Sequence, residues 1–186
     1  EFKRCRDQVP PESFATVRRV VEEDLGRRLE EVFRRFAPAP LAAASIAQVH
    51  AARLPTGEDV VVKILRPGVH GPVRQDIEVL YAVARLAERW WPESRRLRPV
   101  ELVAEYEKTI LNELDLMRET ANAAQLRRNF DNDPKIYVPQ VYWDYCRPNV
   151  MVLERIRGIQ ISEVARLREL GTDIQKLAEN GVTIFF

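Results

Sequence analysis

Two neighbouring stretches of the chain, "PLAAASIAQVHAARL" (Pro40–Leu54) and "VVVKIL" (Val60–Leu65), decide how the remaining residues are interpreted. A turn signal at 55–57, Pro-Thr-Gly, separates the two apolar runs. Because apolar runs bounded by such residues are typical of paired strands, Ile46–Leu54 and Asp59–Leu65 are predicted to form a β-hairpin.

A bend of small residues, Ala42–Ser45, precedes this hairpin. Backbone N–H groups bind phosphate only where side chains leave the approach open, and for this reason phosphate loops usually carry glycine. Alanine is the next smallest residue but resists positive φ, so this bend should be stiffer and approach phosphate less closely. The residues alone leave two interpretations open: a nucleotide loop in which alanine replaces glycine, or a tightly packed turn.

The sequence contains neither a Walker A pattern nor glycines spaced as GxGxxG, which argues against P-loop and Rossmann folds. Lys63 nevertheless lies inside an apolar run, where an ammonium group is costly to desolvate without a partner. One alternative is an edge strand, from which the side chain reaches solvent. The other is a lysine that binds phosphate oxygens and pairs with a carboxylate, as in protein kinases.

A carboxylate partner is expected from the helix predicted over Val100–Phe130. Asp115 and Glu119 are four residues apart and share a helix face, whereas Glu113 points to the other side. The alternative for this acidic segment is an ordinary solvated face. Apolar residues at helical spacing predict a buried stripe on this helix: Val103, Tyr106, Ile110, Leu114, Met117, Ala121 and Ala124.

The remaining pattern predicts an α+β fold with five short, antiparallel strands. A helix is expected from Phe14 to a stop at Gly26, then a short helix that includes Phe36 and ends at Ala37–Pro40. A long helix is expected over Val73–Trp91. The segments "YVPQVYWDY" (137–145) and "NVMVLERI" (149–156) are predicted as the last two strands.

Two helices are expected to follow, one capped by Ser162 and one by Thr172 or Asp173. Backbone groups around Glu154–Ile156 are candidates for pairing with an adenine edge. A plain edge strand with a charged end explains this segment equally well.

Composition excludes several functional classes. The net charge of +1 over 186 residues supplies no field for nucleic acid, despite local clusters of arginine. Two cysteines, Cys5 and Cys146, and two histidines, without metal-ligand spacing, make a zinc site improbable and favour reduced thiols. The sequence has no apolar run of membrane-spanning length.

Several separate motifs together resemble the UbiB/ADCK atypical protein-kinase-like family, and its bacterial ubiquinone-biosynthesis members in particular. The hairpin segment "PLAAASIAQVHAARLPTGEDVVVKILRPGV" is similar to that family's alanine-rich loop and lysine strand. The segment "NELDLMRETANAAQLRRNF" is similar to its ExD motif and the helix after it. "VPQVYWDYCRPNVMVLERIRGI" is similar to its strands leading to the hinge.

This resemblance implies a protein-kinase-like N-lobe with a five-stranded antiparallel sheet, added helices and a C-lobe that is largely missing. It implies an N-terminal helical extension (1–36), the N-lobe with inserted helices (37–156), and the hinge with the first C-lobe helices (157–186).

The roles that the resemblance implies concern a nucleotide site. Lys63 and Glu119 become the ion pair that positions phosphates, and Glu113 and Asp115 become the ExD pair, with their division of labour open. The bend residues Ala42, Ala43, Ala44 and Ser45 become the part of the site that binds phosphate. The hinge residues Glu154 and Ile156 become nucleotide-binding as well. ATP or ADP with Mg²⁺ is the implied cofactor.

The chain has no HxDxxxxN-type catalytic loop and no DFG-like motif, so none of its residues is assigned as a metal ligand. The abrupt apolar end "GVTIFF" suggests a truncated chain that does not turn over ATP unaided. The resemblance implies a role in ubiquinone biosynthesis, at the cytoplasmic side of the inner membrane, with biosynthesis proteins and lipid or quinone precursors as partners. The alternative function is a helical module that docks a partner or a membrane without nucleotide.

Overall fold

A four-stranded antiparallel sheet forms the centre of the computed structural model, which describes residues 10–91, 96–131 and 133–185. Its strands lie in the order β1-β2-β3-β4. The elements before the middle of the chain are α1 (Phe14–Leu25), α2 (Leu29–Val32), β1 (Arg35–Ala43), β2 (Ala47–Arg53), β3 (Asp59–Leu65) and α3 (His70–Trp90). Those after it are α4 (Pro99–Glu113), α5 (Leu116–Asn129), a 3-10 turn (Trp143–Tyr145), β4 (Val150–Glu154), α6 (Val164–Glu169) and α7 (Ile174–Phe185).

The predicted hairpin is confirmed as β2 and β3, which pair from Ala47 opposite Leu65 to Arg53 opposite Asp59. Side chains alternate across a strand, and on β3 those of Val60, Val62 and Ile64 are at most 2% exposed. The same period places Lys63 on the other face of the sheet. Because β3 lies between β2 and β4, the edge-strand explanation for Lys63 is wrong.

The predicted fifth strand is wrong for residues 137–145 in the described part of the chain. This segment runs beside β4 and forms two backbone hydrogen bonds with it. The Glu154 N–H donates to the Gln140 carbonyl (2.8 Å), and the Tyr142 N–H donates to the Val152 carbonyl (3.0 Å). It forms one isolated bridge and then turns into the 3-10 segment. Pro139 lacks the N–H that a continuous ladder needs, which explains why pairing stops short of a strand.

The predicted end of the second helix is also wrong, because α2 is a single turn and β1 begins at Arg35. The strand runs through Pro38 and Pro40, with register shifts on both sides of Pro40. Proline is tolerated here because β1 is an edge strand, where one N–H per pair of residues faces solvent.

The predicted continuous helix over 100–130 is broken into α4 and α5. Asp115 caps α5, its carboxylate accepting a hydrogen bond from the Met117 N–H at 3.0 Å. Aspartate is poor inside a helix and good at an N-cap, so it favours a break over continuation. The predicted stripe is therefore only partly buried: Leu114 and Ala124 lie in the core, but Tyr106 is 51% exposed.

The outer helices follow the sequence closely. Gly26 ends α1 with φ 64°, as predicted, and α3 covers the predicted long helix. Asp173 caps α7 by accepting from the Lys176 N–H at 3.0 Å. Ser162 does not cap α6, because its hydroxyl instead bonds to the Gln160 side chain. Within the residues that the structure describes, no helix combines the length and apolarity needed to span a membrane.

Of the two cysteines, Cys146 lies within the described residues. Cys146 is buried in the core, and burial raises the pKa of its thiol. A neutral, buried thiol is unreactive, which suits a structural residue. Cys5 lies outside the described residues.

Candidate functional site

An open cleft of about 590 Å³ lies between the sheet and the paired helices α4 and α5. Its size is within the range of small-molecule sites, and its walls are mostly polar. The residues that line it come from the bend, β3, the end of α4 and the start of α5: Ile46, Lys63, Thr109, Asn112, Glu113, Arg118, Glu119 and Asn122.

An ion pair between Lys63 and Glu119 lies on one wall of this cleft. The Lys63 Nζ is 2.7 Å from Oε1 and 2.6 Å from Oε2 of Glu119. The two side chains are 28% and 40% exposed, so the pair is accessible from the cleft rather than sealed in the core. A lysine held by both oxygens of a carboxylate has a fixed orientation, while part of its surface stays open to a ligand.

The fold positions both members of this pair rigidly. Lys63 is in the middle of β3, opposite Val49 of β2 and Met151 of β4. Glu119 is in the first turn of α5, where its N–H bonds to the carbonyl of the capping residue Asp115 at 3.3 Å. The α5 N-terminus is itself tied to the sheet, because the Leu116 N–H donates to the Pro148 carbonyl at 3.3 Å.

The structure separates Glu113 from Asp115. Glu113 ends α4 and lines the cleft, and among the described residues no hydrogen bond or ion pair involves its carboxylate. Asp115 is engaged as the N-cap of α5 and is not part of the cleft wall. Asp115 remains one helical turn before Glu119, since the Glu119 N–H bonds to the Asp115 carbonyl, but the Asp115 side chain caps the helix and only Glu119 lines the cleft.

The alanine bend lies at the cleft's edge, but it is shorter than predicted. Ala42 and Ala43 belong to β1, and the Ala44 N–H donates to the Ala47 carbonyl at 2.8 Å, so Ser45 and Ile46 close the turn. Ile46 is the member of this turn that lines the cleft. Within the described residues, Arg98 is the one non-glycine residue with positive φ, so the bend is built without the geometry that requires glycine.

The two hinge residues lie outside the cleft wall. The Glu154 carboxylate accepts from the Tyr137 hydroxyl at 2.6 and 2.7 Å and from the Gln140 N–H at 3.1 Å. The hydrogen bond from Tyr137, which has the larger effect, and that from Gln140 both lower the pKa of Glu154. Ile156 is 49% exposed, and within the described chain its backbone N–H has no protein acceptor.

Sequence interpretation missed the polar residues around the two carboxylates. Thr109 and Asn112 precede Glu113 by four and one positions, and Arg118 and Asn122 flank Glu119. Thr109 is four residues before Glu113 and Asn122 three after Glu119, and this helical spacing is the signal that would have found them, whereas Asn112 and Arg118 carry no such signal. The charged residues of the cleft wall are two cations, Lys63 and Arg118, and two anions, Glu113 and Glu119, so the local charge is balanced.

The donor set of the cleft consists of one lysine–carboxylate ion pair and further polar side chains. A cation held toward an open cleft beside a hairpin bend is the arrangement that phosphate oxygens require. Three or more metal-ligating side chains do not come together anywhere in the described residues. This donor set therefore does not supply a Mg²⁺ site by itself.

Comparison with known families matches residues 4–186 to the ABC1 atypical kinase-like domain. The chain belongs to the ABC1 atypical kinase-like family. Proteins named probable protein kinase UbiB are similar to it throughout: that of Pseudomonas paraeruginosa is 57% identical over 186 residues and that of Azotobacter vinelandii 56%. The Marinobacter nauticus protein of the same name is 52% identical over 185 residues.

The fold of the ABC1 family chain is also found in a solved structure from Mycobacterium tuberculosis, a complex of Rv3197 with erythromycin. The two share 30% identity with a TM-score of 0.71, over 84% of this chain and 39% of the other. The chain spans 35% of the length of the Pseudomonas relative, about a third. The kinase-like α+β fold and the resemblance to the UbiB group are thus confirmed, with four strands in the described sheet instead of five.

Proposed function

We propose that this chain is the ATP- or ADP-binding lobe of an atypical kinase-like ATPase. The ion pair between Lys63 and Glu119 carries the proposal, since it holds an ammonium group in a fixed orientation on the wall of an accessible cleft. Membership of a kinase-like family supports the same reading. Interactions between a positioned cation and phosphate are among the strongest hydrogen bonds in proteins.

Each predicted residue has a role in this proposal. Lys63 binds phosphate oxygens, and Glu119 orients Lys63 through its two carboxylate oxygens. In the bend Ala42–Ser45, the Ser45 N–H is the donor offered to phosphate, since the Ala44 N–H bonds to the Ala47 carbonyl and Ala42 and Ala43 belong to β1. At the hinge, the Ile156 N–H offers a donor for an adenine edge, whereas the Glu154 side chain is used within the protein.

The two ExD carboxylates act differently. Glu113 faces the cleft with an unengaged carboxylate and is available to bound nucleotide or its counter-ion. Asp115 acts indirectly, by starting α5 at the point that brings Glu119 to Lys63. Mg²⁺, when bound with nucleotide, neutralises phosphate charge, and we expect its principal ligands in a part of the protein other than this chain.

We further propose, from the resemblance to the UbiB group, that the whole protein supports ubiquinone biosynthesis at the cytoplasmic face of the inner membrane. Biosynthesis proteins and lipid or quinone precursors are the proposed partners. The division into 1–36, 37–156 and 157–186 stays a prediction. The chain alone is expected to release no phosphate from ATP, because no residue in it is assigned as catalytic base or metal ligand.

The deciding experiment is a calorimetric titration of the full-length protein with Mg-ADP. The wild type is expected to bind, and Lys63→Met to lose roughly 10- to 100-fold in affinity, the worth of one charge-assisted hydrogen bond. Lys108→Met is the matched control, because Lys108 is an exposed lysine of α4 outside the cleft. An affinity equally reduced in both variants, or unaffected in both, contradicts the proposal.

A second candidate function is docking through α3. Four of the exposed large apolar residues of this helix recur at intervals of four, three and four, with Leu80 exposed beside them: Val79, Val83, Leu86 and Trp90. Such a stripe marks an interaction surface when it is contiguous. If wild-type protein binds no nucleotide but Val83→Asp abolishes binding to liposomes, docking is the function and the nucleotide proposal fails.

A further inference from the structure

Arg66, directly after β3, connects two other segments of the chain, the bend and Pro10–Glu12, through its guanidinium group. Its Nε donates to the Ala44 carbonyl at 3.0 Å, its Nη1 to the Glu12 carboxylate at 2.8 Å, and its Nη2 to the Pro10 carbonyl at 2.8 Å. The side chain is only 13% exposed. All three nitrogens are engaged, and this fork geometry is specific to arginine.

The same residue holds the bend from both ends. While the guanidinium binds the Ala44 carbonyl, the Arg66 backbone N–H donates to the Ile46 carbonyl at 2.9 Å. Ser45 lies between these two anchored carbonyls. Because Ile46 lines the cleft, a displacement of the bend also displaces the cleft wall.

Anchoring the Ala44 carbonyl also orients a donor. The C=O and N–H of a trans peptide point in opposite directions, so the Ser45 N–H faces away from Arg66. Within the described residues this N–H has no protein acceptor. Arg66 thus fixes the plane of a peptide whose N–H stays available to an anion.

The second segment that the Arg66 guanidinium binds, Pro10–Glu12, is also hydrogen-bonded to the sheet. The Glu12 N–H donates to the side-chain oxygen of Gln48 at 2.9 Å. Gln48 is 2% exposed and pairs with Ala43, the last residue of β1 before the bend. The segment Pro10–Glu12 therefore contacts the bend by two routes, through Arg66 and through Gln48.

We propose that Arg66 is a positioning residue that holds the alanine bend in its phosphate-binding shape and makes that shape depend on the segment Pro10–Glu12. The inference rests on the proposed nucleotide function. Arg66 does not line the cleft, so it acts through the bend and not by touching nucleotide. Its loss affects recognition of the phosphates and leaves recognition of the base unchanged.

The test compares ADP and adenosine as probes for the full-length protein and its Arg66→Lys and Glu12→Gln variants. Lysine keeps the charge but cannot reach three acceptors at once. Arg66→Lys is expected to weaken ADP binding about 3- to 30-fold, in the range measured for indirect coupling, and Glu12→Gln to weaken it less. Adenosine affinity should stay within about twofold in both.

Arg19→Lys is the matched control, because Arg19 forms an exposed ion pair on α1. Equal losses for ADP and adenosine, or unchanged ADP affinity in Arg66→Lys, overturn the proposal. Arg66→Met removes every side-chain donor and is a stronger test if this variant folds. If Arg66→Met does not fold, the result for Arg66→Lys decides whether the proposal stands.

Amide hydrogen exchange in nucleotide-free protein gives a readout that does not need the nucleotide function. The amides at positions 44 and 66, which bond to the Ala47 and Ile46 carbonyls across the bend, should have lower protection factors in Arg66→Lys than in wild type, with no change in α3. If wild-type protein binds no ADP, the proposed function fails, and unchanged exchange at these amides overturns the positioning role separately.

Discussion

Lys63 and Glu119, which are 56 positions apart in sequence, meet with both carboxylate oxygens within 2.7 Å of the ammonium nitrogen. This contact joins the middle of the sheet to the first turn of α5. Because both side chains remain part-exposed, the pair offers more to ligand binding than to folding stability.

The first prediction separates those two contributions. Glu119→Gln should lower the free energy of unfolding by no more than about 1 kcal/mol, as is typical for exposed ion pairs. The same variant should weaken Mg-ADP binding about tenfold or more, because the lysine loses its orientation. Urea denaturation and calorimetry measure the two effects, and a large stability loss with unchanged affinity would make the pair structural.

The second prediction concerns the capping residue Asp115. Asp115→Ala should lower the free energy of unfolding by about 0.5 to 2 kcal/mol, the usual cost of losing an N-cap. Asp115→Ser restores a capping oxygen and should recover most of the loss. Glu113→Gln, two residues earlier and exposed, is the control and should unfold as the wild type does. Equal stability of the alanine and serine variants would argue against the cap.

The third prediction follows from a chain of buried hydrogen bonds through His50. The Gln48 amide lies 2.8 Å from the His50 Nε2, and the His50 Nδ1 lies 2.9 Å from the Ala37 carbonyl. With Gln48 accepting from Glu12, its amide nitrogen must donate to Nε2, which keeps the ring neutral. Burial, the larger influence, lowers the pKa of His50, while the bond to Ala37 opposes it.

Because the folded pKa is lowered, the unfolded chain takes up this proton first as the pH falls below the ordinary value of 6.5. The His50 contribution to stability is therefore present above that pH and is lost progressively below it. Between about pH 7.5 and 5.5, wild-type protein should lose more stability than His50→Gln. His70→Gln, at the exposed histidine, should keep the wild-type dependence; urea denaturation at several pH values checks both.

The fourth prediction tests the alanine bend. Ala43→Gly should cost roughly 0.5 to 1 kcal/mol of stability through added backbone freedom, and should change nucleotide affinity if the bend contacts phosphate. Ala51→Gly makes the same change in β2, nearer the other end of the hairpin. It should cost a similar free energy and leave the affinity unchanged, so equal affinities in both variants would count against a phosphate contact.

Much of this fold was accessible from local pattern. The turn signal at 55–57 and the apolar runs on either side of it predicted the hairpin correctly, because turn chemistry and strand composition act over a few residues. Gly26 and Asp173 marked a helix end and a helix start for the same reason. The segment 137–145 misled because its apolar residues matched a strand, whereas Pro139 and the 3-10 turn restricted its pairing to a single bridge.

What the sequence alone determined was the chemistry of the parts: a lysine in an apolar strand, small residues at a bend, and three carboxylates within seven positions. The tertiary structure decided which of these meet. The break at Asp115 rotates α5 relative to α4, turning Glu119 toward Lys63, leaving Glu113 in the cleft and using Asp115 as a cap. Arg66 carried no signal in the sequence, because its three acceptors are brought together only when the sheet, the bend and the segment Pro10–Glu12 pack.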